Sequence, residues 1–416
     1  MQLILLTSSY PYDFSAEYTF IDPEIGFLAE KFSKVILVPR ATGGCRRPLP
    51  PNVDVEDTYS GFLQNSLDLR KMIHTVFSSH LMREELRNRP DILLYPSKIL
   101  KLVLFASRVE LTAKWTAELI KSRQMDPRQS LLYSYWMDHA ATGLAMVKRS
   151  SPALKVISRA HNFDIFEKYY YPYYWPYRKE TLEILDHLFL ISDSGKKHFS
   201  DHYPKFKPKY EIARLGVNDP RFICKPSDDS VFRIISCSYI VPAKRLNLLL
   251  DAIASAARRR PEQKFEWVHI GDGKGRKSLA RRMARHLPSN VKARLIGHIS
   301  NHEVMQFYRD QPVDVFVNVS KSEGIPVSIM EAISCGIPII ATYIGGNSEI
   351  VSDENGILIS ADPTPDEIAD AFFYLIDHPN KTVEKREAGR RIWYENYNAE
   401  VNFRAFAERL QSIGEH

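Results

Sequence analysis

Cysteine is scarce in this 416-residue sequence: Cys45, Cys224, Cys237 and Cys335 stand apart, and no two have C-x-x-C spacing. A zinc site and a disulfide framework are therefore not expected, and a reducing compartment fits. Dense basic runs are also missing. The net charge of +6 and pI near 8.9 are modest for the length, so no nucleic-acid partner is expected; an anionic small ligand or an anionic membrane surface suits the charge better. No stretch reaches the roughly 18 uninterrupted apolar residues of a membrane span, and the N-terminal MQLILLTSSYPY lacks the basic lead of a signal peptide. The expectation is a cytoplasmic chain that spans no membrane. The full G-x-G-x-x-G fingerprint is absent too: GDGKGR at 271–276 falls short of it, which disfavours a nicotinamide dehydrogenase.

What is present is ordinary globular composition, 44% hydrophobic and 25% charged, in a chain long enough for two domains. Short Val-, Ile- and Leu-rich runs alternate with segments of helical periodicity, the pattern of buried parallel strands and crossover helices. Strands are expected at QLILLT, KVILVPR, SLLYSYW, KVISRAH, HLFLIS and YEIARLGV in the first half, and at FRIISCSY, FEWVHIGDG, ARLIGHI, VDVFVNVS, GIPIIAT and GILIS in the second. Between Gly216 and Val231 the turn-rich VNDPRFICKPSDDS interrupts the alternation. The predicted architecture is α/β: two doubly wound, Rossmann-like domains, 1–220 and 221–397, with a cleft at the carboxyl ends of their strands. A terminal helix over 398–416, apolar at Phe403, Phe406, Leu410 and Ile413, is expected to return to the first domain. Thr364-Pro365-Asp366-Glu367 reads as a capping box.

The most informative stretch is VDVFVNVSKSEGIPVSIMEAISCGIPIIATYIGGNSEIV. It parses as strand, loop, helix and strand, with the polar residues at the joints. The loop ends at Pro326, where a helix is expected to begin and to expose first-turn amides able to bind phosphate oxygens. Glu323 in the loop and Glu331 on the helix then lie at different depths of one pocket. A carboxylate can accept two hydrogen bonds from a vicinal diol, so Glu331 suits a ribose and Glu323 a sugar beyond a diphosphate. Gly336 is the expected helix cap, and Gly345-Gly346 is expected to let backbone approach a ligand. For an isolated pair of glutamates, solvated surface carboxylates would be the better reading; context shifts the balance.

That context is a resemblance. SEGIPVSIMEAISCGIPIIAT resembles the E-x7-E signature of the retaining glycosyltransferases of family 4, which share the GT-B architecture; SYIVPAKRLNLLLDAI, HIGDGKGRKSLARRM and ARLIGHISNHEVMQFYRDQPVDVFV are similar to further elements of that family. In the first half the resemblance rests on RAHNFD, and the family's glycine-rich first loop has no counterpart in SSYPYDFSAEYTF. The resemblance implies a nucleotide-sugar-binding second domain and an acceptor-binding first domain. Glu323, Lys244 and His161 take the catalytic positions; Glu331, Arg245, Gly324, Ile325, Pro326, Val327 and Gly297 take the donor-binding ones. Ser238-Tyr239 stands where the family commonly has an arginine ahead of the lysine, so Arg245 is the candidate substitute. His161 is expected to emerge at the edge of the cleft.

The function expected is transfer of a sugar, with retention, from a UDP-sugar to a glycan or polyprenyl-linked acceptor in surface polysaccharide synthesis, with no tightly bound metal or other cofactor. No D-x-D pair appears where a metal would be needed. The aromatic and basic tract 166–178 suits a bilayer interface or a lipid-linked acceptor, though a loop packed on the sheet with half-buried tyrosines is the better reading; Ser97–Phe105 is also basic and apolar. Peripheral contact with the inner face of the cell membrane is part of the expectation. The alternatives are a non-hydrolysing nucleotide-sugar epimerase, which needs no acceptor, and a non-catalytic two-domain sugar-binding protein, which would ordinarily carry an export signal.

Overall fold

The computed structural model describes residues 1–15, 17–66 and 80–415, excluding the side chain of Tyr169. The chain forms two compact units. The first comprises Met1–Arg214 with the C-terminal segment from Val401; the second is Leu215–Glu400. The anticipated divisions at 220/221 and 397/398 lie within a few residues of these.

The first unit is built on a parallel sheet in which the described strands run in the order β3-β2-β1-β4-β5-β6-β7. These are β1 (Gln2–Thr7), β2 (Lys34–Pro39), β3 (Val53–Val55), β4 (Ser130–Ser134), β5 (Lys155–Ala160), β6 (His187–Leu190) and β7 (Tyr210–Ile212). Strand β1 is apolar on both sides because both faces are covered. Leu3 and Leu5 pack in one layer with Ile21, Ile25, Phe406 and Leu410, while Ile4 and Leu6 pack in the other with Trp115, Leu119 and Leu144. The terminal helix, Ala399–Glu415, thus belongs to the first unit's core, and His416 lies outside the described residues. Phe403, Phe406, Leu410 and Ile413, the periodic apolar set, are all buried.

The second unit repeats the plan with the order β10-β9-β8-β11-β12-β13, again parallel. Its strands are β8 (Val231–Cys237), β9 (Lys264–Ile270), β10 (Val291–Gly297), β11 (Val315–Asn318), β12 (Ile339–Thr342) and β13 (Gly356–Ile359). Helix Leu246–Arg259 buries Leu246, Leu249, Leu250 and Ile253, the residues whose spacing marked it.

In each sheet the connection order reverses beside the first strand, between β1 and β4 and between β8 and β11. An open parallel sheet leaves a crevice at such a point, outside the carboxyl ends of the strands, and ligands bind there. The candidate site below lies at the second of these points. Among the described residues no helix is long and apolar enough to cross a membrane.

Candidate functional site

In the second unit, β8 ends at Cys237 and leads through a short turn, Pro242–Lys244, to helix Leu246–Arg259. Strand β11 ends at Asn318 and leads through the loop 319–326 to helix Val327–Ser334. The two loops meet: Lys321 N–H donates to the Ala243 carbonyl at 2.8 Å. Lys244 Nζ thereby reaches Glu323 Oε1 at 2.5 Å, and the same oxygen accepts from Ser320 Oγ at 2.6 Å and Asn318 Nδ2 at 3.1 Å. Three donors on one oxygen fix the carboxylate. The ion pair is partly open, with the Lys244 side chain 24% and the Glu323 side chain 10% exposed. Asn318 and Ser320 were not singled out from the sequence, although polar residues closing an otherwise apolar strand are the signal that marks them.

Glu331 sits one helical turn further in and is buried. Its Oε1 accepts from Asn301 Nδ2 at 2.5 Å, from a helix that starts after the Ser300 cap. Burial pushes the Glu331 carboxyl up to about 8, and the Asn301 hydrogen bond opposes only part of that rise. Near neutral pH a proton thus competes with any diol for this group. Asn301 is a third contributor that the sequence did not mark.

Helix Val327–Ser334 begins as expected, with Pro326 in an extended conformation before it. The amides of Val327 and Ser328, at the first two helical positions, have no carbonyl one turn earlier to bond. Gly324 stays partly accessible, but Ile325 is buried.

Several expectations are corrected. Arg245 does not point toward a diphosphate: its backbone takes a left-handed φ of 50°, and its guanidinium donates to the carbonyls of Val319 (2.6 Å), Ser320 (2.9 Å) and Ala361 (2.9 Å) and to Asp362 (3.0 Å). It ties the end of β11 to the chain beyond β13. Gly345 and Gly346 approach the protein's own loop, not a ligand. A Cβ on Gly345 would stand 2.1 Å from the Glu323 carbonyl oxygen, and one on Gly346 1.9 Å from that of Gly324. Gly297, at the end of β10, likewise receives the Arg276 guanidinium, 2.8 Å from where its Cβ would be, and its carbonyl accepts from Gly271 N–H at 2.8 Å. Gly336 does cap the helix, with φ of 68°.

His161, in the first unit, is buried, not emergent. Its ring lies 4.7 Å from that of Tyr135 and 4.3 Å from that of Trp136, and Nδ1 is 3.7 Å from Asp164 Oδ2. Neither ring nitrogen has a partner within hydrogen-bond geometry among the described residues. Burial lowers its pKa, against the pull of Asp164, so the ring favours the neutral form. The reason for its depth is the aromatic Tyr135-Trp136 pair that follows β4 and covers the end of β5. Among the described residues, no group of three or more His, Cys, Asp or Glu side chains is placed to hold a metal ion.

Residues 224–392, a stretch that includes Lys244, Glu323 and Glu331, match the family described as "Glycosyl transferases group 1". The chain is 26% identical over 323 residues to a GDP-mannose-dependent monoacylated α-(1-6)-phosphatidylinositol monomannoside mannosyltransferase of Corynebacterium glutamicum, covering 73% of this chain and 79% of that protein. It is 25% identical over 277 residues to the putative colanic acid biosynthesis glycosyltransferase WcaL of Escherichia coli, covering 62% and 64%. In fold it is similar to the lipopolysaccharide outer core galactosyltransferase WaaB, with a TM-score of 0.68 at 14% identity and 99% of each chain covered. It is similar also to Anabaena HepE in complex with UDP, with a TM-score of 0.64 at 15% identity, covering 99% of this chain and 100% of that one. The fold is the α/β GT-B fold of glycosyltransferases, as the sequence resemblance implied.

Proposed function

We propose that this glycosyltransferase-like chain moves a sugar, with retention of anomeric configuration, from a UDP-sugar to a glycan or polyprenyl-linked acceptor. The observation that carries the reading is the gathering of Lys244, Glu323 and Glu331 outside the carboxyl ends of β8 and β11. Glu331, deepest, takes the ribose diol; the first-turn amides and Lys244 take the diphosphate; Glu323 meets the donor sugar. As the bond from the anomeric carbon to phosphate breaks, the acceptor oxygen bonds to that carbon from the same face and its proton passes to the departing phosphate oxygen. Lys244 stabilises the charge that grows on the diphosphate, and Glu323 the positive charge on the sugar. Arg245 is a positioning residue that holds the loop carrying Glu323. The donor site is proposed to work without a tightly bound metal, so a chelator should leave turnover unchanged.

The membrane part of the proposal rests on exposed Leu93, Leu94, Tyr95 and Leu100 beside Lys98 and Lys101, and on exposed Tyr171 and Tyr173. Within the aromatic tract, Tyr174 and Tyr177 are core residues, so only its exposed members, Tyr171 and Tyr173, are offered to a membrane in this proposal. Anionic headgroups would meet the lysines while the apolar side chains enter the interface. Flotation with phosphatidylglycerol vesicles should succeed at low salt and fail after Leu93→Glu and Leu94→Glu; flotation indifferent to both changes would remove this part.

The UDP-bound neighbour supports the choice of nucleotide, and the GDP-mannose-dependent relative supplies the alternative to test. Thermal shifts with UDP-, GDP- and ADP-sugars resolve it, because a selective ligand at a hundredfold excess over its Kd stabilises by about 2.7 kcal/mol. NMR of the product then reads the anomeric configuration. Sugar interconversion without acceptor would favour the epimerase instead.

A further inference from the structure

The charges gathered at the donor site cancel before any ligand arrives. Lys244 is paired with Glu323 at 2.5 Å, and Arg245 is spent on backbone carbonyls and Asp362. Burial keeps the Glu331 carboxyl protonated near neutral pH, its pKa pushed up to about 8. A nucleotide-sugar brings a negative charge on each of two phosphates. The start of helix Val327–Ser334 answers with the equivalent of about half a positive charge. A further cation is needed.

The loops at the carboxyl ends of the second sheet carry two lysines besides Lys244: Lys274 after β9 and Lys321 after β11. Both are exposed, and neither side chain has a hydrogen bond or ion pair to any described residue. Exposed lysines are ordinarily just solvated, but the placement of Lys321 sets it apart. It lies two residues before Glu323, and its amide donates to the carbonyl of Ala243, the residue before Lys244, at 2.8 Å. Lys321 therefore stands at the seam where the loops bearing Lys244 and Glu323 join. The preceding residue is pinned: the Ser320 amide donates to Asn318 Oδ1 at 3.0 Å, and its carbonyl accepts from Arg245 at 2.9 Å and from Thr342 Oγ1 at 2.8 Å. The carboxylate nearest in sequence, Glu323, turns to Lys244 instead. A fixed backbone thus presents an uncompensated ammonium on a flexible four-carbon stem beside the site. Lys274 belongs to a loop one strand further out, which meets the β8 loop at Ile240, whose amide donates to the Asp272 carbonyl at 2.9 Å.

We infer that Lys321 is a second diphosphate-binding cation of the donor site, supplying the charge that Arg245 withholds. The inference rests on the donor-site reading above. The ammonium donates to a non-bridging phosphate oxygen, and its pull strengthens as negative charge grows on the departing diphosphate.

The test titrates uridine, UDP and inorganic pyrophosphate into the full chain and into Lys321→Gln. Uridine affinity should be equal in the two proteins. Affinity for UDP and for pyrophosphate should fall by about tenfold or more in the variant, as loss of a charge-assisted hydrogen bond requires. Lys321→Arg should recover most of it, whereas Lys274→Gln, which removes the same charge one strand away, should leave all three affinities unchanged. Unchanged UDP and pyrophosphate affinity in Lys321→Gln would place the ammonium in solvent. An equal loss for uridine would mean a distorted loop, and an equal loss in Lys274→Gln would mean long-range charge alone. Each of these, or a wild type that binds neither UDP nor pyrophosphate, overturns the assignment. The nucleotide reading fails separately: if pyrophosphate binds through Lys321 but UDP gains nothing over it, the lysine stands and the choice of UDP falls.

Discussion

Glu331 carries the sharpest residue-level expectation, because its folded-state pKa of about 8 stands above its ordinary 4.5. Between those values the folded protein holds a proton that the unfolded chain has lost, so stability falls as pH rises through that window. Glu331→Gln removes this dependence: its melting temperature relative to wild type should climb from pH 5 to pH 8, and a flat difference would deny the buried, protonated carboxyl. A ribose diol donates to the carboxylate form, so UDP binding should expel the proton. Calorimetry near pH 7 in buffers of different ionisation enthalpy should show proton release that Glu331→Gln abolishes. For Glu323→Gln, UDP affinity should hold while single-turnover transfer falls by roughly a hundredfold, since the amide keeps the size but loses the charge. Full activity in this variant would return Glu323 to a purely structural place. These carboxylates were legible through the family resemblance of the strand–loop–helix that carries them, since their spacing alone fits solvated surface glutamates equally or better. Arg245 was not, because its direction depends on a left-handed backbone turn and on carbonyls more than seventy residues away.

At the scale of elements, the long apolar runs were readable, since strands buried on both faces need little context. The three-residue edge strand Val53–Val55 was missed because it is too short to show a period. The box expected at Thr364 is half formed. Thr364 accepts from the Glu367 amide, but the Glu367 carboxylate turns to Ser360, accepting from its amide at 2.6 Å and its hydroxyl at 2.8 Å. The reciprocal box instead joins Ser300 and Glu303, on the helix whose first residue, Asn301, holds Glu331. Ser300→Ala should therefore cost about 1 kcal/mol of stability and also weaken UDP binding, whereas Thr364→Ala should cost a similar amount with binding intact. Thermal melts paired with calorimetry on both variants separate these outcomes. Gly346→Ala tests the loop contact directly: a methyl 1.9 Å from the Gly324 carbonyl must push the loop bearing Glu323 away. Loss of transfer with a modest loss of stability is expected, and wild-type kinetics would show that the loop tolerates displacement.

Across the whole molecule, the chain's last helix is structural cement for its first unit. Phe406 lies 5.9 Å from Tyr133 and 5.0 Å from Phe189, ring to ring, and the Arg159 guanidinium lies 4.6 Å from the Phe406 ring. Arg159 also pairs with fully buried Glu24 at 2.7 Å and donates to the Ala213 carbonyl at 2.6 Å. Removing one partner strands the other charge, so Arg159→Met should destabilise by about 3 to 5 kcal/mol, read by urea melts. The apolar stripe of the terminal helix was visible in sequence and its return to the first unit was expected, whereas the buried pair, 135 residues apart, gave no local sign. The account as a whole depends on the second unit binding a nucleoside diphosphate through Glu331, at the point where β8 and β11 part. Calorimetric titration of UDP into the wild-type protein and Glu331→Ala tests that most directly. One equivalent should bind the wild type, and the variant should bind at least about tenfold more weakly, as loss of charge-assisted hydrogen bonds requires; no binding to the wild type, or equal affinity in the two proteins, would contradict it.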